Sequence, residues 1–88
     1  MASPPSRIIW SQEALSSFQQ IGDGTREQIL RRVALLRHFP MMYQVEAQGQ
    51  WRGLRRFIVA ELVVFHSCWH PEHTVYIEAI VPARSRSR

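Results

Sequence analysis

Pro40 divides this chain into two parts with different hydrophobic periods, and that division limits the possible folds more than any other feature. Before it, Ala14, Leu15, Phe18 and Ile21 recur at three- and four-residue spacing, the stripe of a helix with one core-facing side. Ser11 is a good N-cap and Gly22-Asp23-Gly24 a stop, so a helix is predicted over 12–21. Thr25 and Gln28 have the form of a capping box, and Ile29, Val33 and Leu36 trace a second stripe. Proline has no N–H to continue the ladder, so the second helix is predicted over 25–39. The short connection makes the pair an antiparallel hairpin.

After Pro40 the residue types favour strands. A loop through Met41-Met42-Tyr43 is expected to pack over the core, and a strand is expected near 50–56, with Trp51, Leu54 and then Phe57. Ile58 to Trp69 is the longest apolar run, rich in β-branched and aromatic residues, and reads as a central strand. His70-Pro71-Glu72-His73 is a turn, Thr74 to Val81 the returning strand, and Pro82 its end. Arg7-Ile8-Ile9-Trp10 is a short strand expected at an edge of the same sheet. The fold class is thus α+β, a short N-terminal strand and a helical hairpin packed on an antiparallel sheet. The whole of 1–88 forms one domain, with 1–6 and 85–88 expected to be flexible. A domain this small buries about three-fifths of its unfolded surface, so the core should be thin.

Composition narrows the chemistry. The chain carries 11 basic and 7 acidic residues, and every basic residue is arginine. Guanidinium groups stay charged and donate in a rigid fork, which suits carboxylates, phosphates and protein surfaces and excludes a lysine base or Schiff base. The single Cys68 cannot form an intrachain disulfide, the N-terminus lacks a signal-peptide apolar stretch, and Glu61 and His66 interrupt the best apolar run. A cytoplasmic protein with no membrane partner is expected.

Two clusters are candidate sites. Arg52, Arg55 and Arg56 sit beside Trp51 where the sheet begins. Strand alternation sends Arg55 and Arg56 to opposite faces, and the three converge only if a bulge at Gly53 resets the phase. Binding of an acidic protein or RNA is one use of such a cluster; a solvated edge strand whose charges block aggregation is the other. The second cluster is His66, Cys68, His70 and His73. Period two puts the first three on one face, but alternate strand positions lie too far apart to share an ion, and the spacing matches no standard zinc module. A plain hairpin is the expected reading, with Cys68 a small buried residue rather than a nucleophile. No glycine-rich phosphate loop, carboxylate pair or cofactor fingerprint is present, so no cofactor is expected.

Taken in order, Ile9-Trp10-Ser11-Gln12-Glu13-Ala14-Leu15, the segment 29–40, Gly53-Leu54-Arg55-Arg56-Phe57, Leu62-Val63-Val64-Phe65-His66 and Ile80-Val81-Pro82-Ala83-Arg84 resemble the RelE/ParE toxins of bacterial type II toxin–antitoxin modules. The resemblance covers nearly the whole chain and implies a helical hairpin on a twisted antiparallel sheet. It also implies one of two activities: RelE-like members cut ribosome-bound mRNA with several basic residues on the sheet, and ParE-like members poison DNA gyrase. Both are neutralised by a cognate antitoxin. Arg55 corresponds to a basic position of the RelE sheet and Arg84 to the arginine after the last strand. The arginine that RelE-like members carry on the central strand falls near Glu61-Leu62 here, and Ser-Arg repeats stand where they end in tyrosine. Neither an acidic nor an apolar residue can stabilise phosphate charge. The resemblance therefore favours a ParE-like toxin that binds gyrase, at its A subunit, through Arg52, Arg55, Arg56 and Arg84. A RelE-like metal-independent ribonuclease acting on the ribosome and mRNA, with arginines and His66 or His70 for phosphate stabilisation and proton transfer, is the alternative, and a non-toxic protein- or RNA-binding module the third.

Overall fold

The computed structural model describes residues 4–83. In chain order it contains β1 (Arg7–Trp10), α1 (Gln12–Gln19), α2 (Asp23–Leu36), β2 (Arg55–Val59), β3 (Leu62–Trp69), a 3-10 turn (His70–Glu72) and β4 (Thr74–Pro82). The sheet order is β1-β4-β3-β2; β2, β3 and β4 are antiparallel neighbours, and β1 joins β4 in parallel. The expected α+β architecture is present, with β1 making the sheet mixed.

Local chemistry explains most boundaries. Ser11 caps α1: its hydroxyl accepts from Ala14 N–H at 3.0 Å and donates to the Glu78 carbonyl at 2.8 Å, tying the start of the helix to β4. The second helix starts earlier than its capping-box signature suggests. Gly22 is the N-cap and contributes no side-chain bond, while Asp23 in the first turn faces the positive helix end and pairs with Arg26. It also stops earlier, at Leu36, because Pro40 disfavours helical geometry in the residue before it and the last turn loosens.

The first two strands after Pro40 are displaced from their expected bounds, while the third keeps its own. Residues 50–53 are turn and Leu54 is irregular, not strand: Gly49 and Gly53 hold φ of 81° and 92°, and Gly53 N–H and Leu54 C=O bond to Glu46. The apolar run from Ile58 to Trp69 is not one strand but a tight hairpin, with Val59 opposite Leu62 and Ala60 at φ 55°. Nothing in the local composition signals that turn, because alanine is a poor residue for positive φ.

Two apolar clusters lie on opposite faces of the sheet. On the helix side, Ala14, Ile29, Val33 and Leu36 pack against Phe57, Val64, Val75, Ile77 and Ile80. Burial of each larger side chain contributes about 2 kcal/mol. On the outer side, Val63, Phe65 and Ala79 are covered by Trp51, Leu54 and Val81. The segment before β2 makes this second layer, bridging Val45 to Arg55 and wrapping back so that Trp51 stacks on Phe65 at 4.8 Å.

Candidate partner-binding site

Alternation along β2 separates the arginines at the start of the sheet. Arg55 is in phase with Phe57 and Val59 on the helix side; its Nη1 donates to the Tyr43 carbonyl at 2.6 Å, and it stands opposite His66. Arg56 is on the outer face opposite Phe65. Its Nε lies 3.0 Å from Glu46 Oε1 and its Nη1 donates to Gln44 Oε1 at 3.3 Å. Arg52 is exposed in the turn, and its side chain has no hydrogen bond or ion pair among the described residues. Gly53 belongs to that turn, so no bulge resets the phase. Arg84 lies outside the described residues.

The histidine-rich stretch is likewise divided. His66 is fully buried on the helix side, between the rings of Tyr43 and Phe57, and neither ring nitrogen has a hydrogen-bond partner. Burial, helped by the Arg55 charge, lowers its pKa from 6.5 to about 4, so the ring is neutral at pH 7. Cys68 is half-buried on the same side, whereas His70 and His73 are exposed in the turn. Among the described residues, no group of three or more His, Cys, Asp or Glu side chains could hold a metal ion.

Sequence reasoning missed the character of the outer face beyond Phe65. A register shift between Phe65 and His66 brings Glu78 out of the ladder, and Ser67 Oγ donates to Glu78 Oε2 at 2.8 Å. Trp69, Glu72, Tyr76 and Glu78 line a cavity of about 300 Å³ there. Two carboxylates facing one space repel phosphate and attract cations. No signal in the sequence revealed the shift, since Glu78 lies in an otherwise regular strand pattern. Arg32 was also hidden: it stacks over Tyr43 and Phe57 and donates to the Ile58 carbonyl, clamping α2 to β2.

No protein-family model matches the sequence, and no curated protein does. Solved structures do match. A chain of the intact E. coli RelBE toxin–antitoxin complex is 11% identical and superposes with a TM-score of 0.75, over 89% of this chain and 96% of that one. The isolated E. coli RelE toxin gives 11% identity and 0.76, over 93% and 94%. A chain of the archaeal RelE–RelB complex from Pyrococcus horikoshii gives 14% and 0.74, over 90% and 96%. Sequence identity this low carries no residue-level assignment, but the superposition runs over almost all of both chains: this chain has the fold of the RelE toxins.

Proposed function

We propose that this chain is the toxin of a type II toxin–antitoxin module, neutralised by a cognate antitoxin, and that it acts by binding DNA gyrase in the manner of the ParE branch rather than by cutting mRNA. The observation that carries this reading is the outer face of the sheet. Along β3 its Val63 and Phe65 are buried beneath Trp51 and Leu54, Ser67 bonds to the Glu78 carboxylate, and Glu46 neutralises Arg56, so this face offers apolar cover and carboxylates rather than free cations. Phosphodiester cleavage develops negative charge that preorganised cations must meet. A surface with this inventory holds a protein better than it breaks RNA. His66 does not rescue the nuclease, because a fully buried imidazole cannot reach a substrate proton.

The RelE-like ribonuclease is the second reading, favoured by the identity of the matching structures, which are RelE chains. Primer extension on ribosome-bound mRNA tests between the two. Intact transcripts at protein concentrations that arrest growth support gyrase poisoning; codon-positioned cuts establish the nuclease instead.

A further inference from the structure

The C-terminal end of α2, the residues before β1 and the turn between β3 and β4 enclose a cavity of about 480 Å³. Its basic lining is Arg37, His38, His70 and His73, beside the Cys68 thiol and with no carboxylate among the lining residues. Arg37 is held in place from both directions. Its backbone carbonyl accepts from Ser6 N–H at 2.7 Å, and its Nε donates to the Ser6 carbonyl at 3.2 Å. The terminal guanidinium nitrogens have no partner among the described residues, in contrast to Arg26, Arg31 and Arg56, each of which is paired with a carboxylate.

Apolar side chains beside the cavity are open to solvent. Phe39 is 58% and Trp69 55% exposed, and Met41, in contact with His70, is 46% exposed. Exposed aromatics and methionine beside a fixed, unpaired guanidinium suit an apolar anchor flanked by a carboxylate. A nucleic acid would need several phosphate contacts, and Arg37 is the one guanidinium among the lining residues.

We propose that this cavity docks an acidic segment of a polypeptide partner, seating one apolar side chain against Phe39 and Trp69 and pairing the adjacent carboxylate with the terminal nitrogens of Arg37. The site rests on the cavity's own chemistry and goes beyond the toxin reading, so either can fail alone. The test is fluorescence anisotropy of the intact protein with a fluorescein-labelled peptide of alternating glutamate and leucine. Arg37→Gln and Phe39→Ser should each weaken binding about tenfold. Arg37→Lys should fall between wild type and Arg37→Gln, and Arg31→Gln should stay within about twofold of wild type. Circular dichroism melts should show all four variants folded. Absence of peptide binding, or binding by Arg37→Gln and Phe39→Ser as tight as that of wild type, overturns the proposal. So does displacement of the peptide by succinate or inorganic phosphate at matching concentrations, which marks a small-anion site, or tighter binding of a single-stranded RNA lost in the same variants.

Discussion

At the scale of single residues, the most consequential side chain is His66, which this chain keeps in its core without a hydrogen-bond partner. Its folded pKa, about 4, lies below the ordinary 6.5, so between these values the unfolded chain binds the proton that the folded one refuses. Stability from this group is therefore full above pH 6.5, falls as pH drops toward 4, and loses nothing more below that. The groups facing it are Arg55 from β2, with Tyr43 and Phe57; Arg32 from α2 lies over those two rings and adds charge of the same sign nearby. Urea midpoints should fall between pH 7 and 4.5 by the equivalent of about 3 kcal/mol at most, and His66→Leu should remove that part of the slope. A slope unchanged in His66→Leu would assign acid sensitivity to the carboxylates. Trp51 gives a second expectation at this scale. Its stack on Phe65 covers the outer face, so Trp51→Ala should lower stability by about 2 kcal/mol in chemical denaturation.

At the scale of elements, α1 is joined to the sheet through one hydroxyl. Ser11→Ala loses both the cap to Ala14 and the bond to Glu78, and should cost about 1 to 2 kcal/mol, with thermal melts as the readout. Ser11→Asp keeps the acceptor and should recover part of the loss. Ser11 also illustrates what was legible in the sequence. A cap before an apolar stripe is a local signal, and it located the start of α1, as Pro82 located the end of β4, whereas Pro40 placed the end of α2 beyond Leu36, where the helix stops. What stayed hidden depended on long-range geometry. The hairpin at Ala60 divides the apolar run expected as one strand at a residue with no turn chemistry, and β2 begins only where Gly53 releases the chain from its turn. The shift that exposes Glu78 exists only in the pairing of β3 with β4. The candidate arginines were legible as a cluster in sequence, but their separation into an exposed Arg52, a tethered Arg55 and a neutralised Arg56 depends on Tyr43 and Glu46, which lie roughly ten positions upstream.

At the scale of the whole molecule, the fold is that of the RelE toxins, and the proposal of gyrase rather than mRNA as the target rests on the outer face of the sheet. The full sequence carries an excess of four positive charges, and all of its basic side chains are arginine. Fold alone does not fix function, so the outer face of the sheet decides the reading. The most direct measurement is ATP-dependent supercoiling of relaxed plasmid by DNA gyrase in the presence of the purified protein. Supercoiling should fall as the protein is added and recover when its antitoxin is supplied. Full supercoiling at every concentration, by a protein that arrests growth when expressed alone, would contradict gyrase as the target.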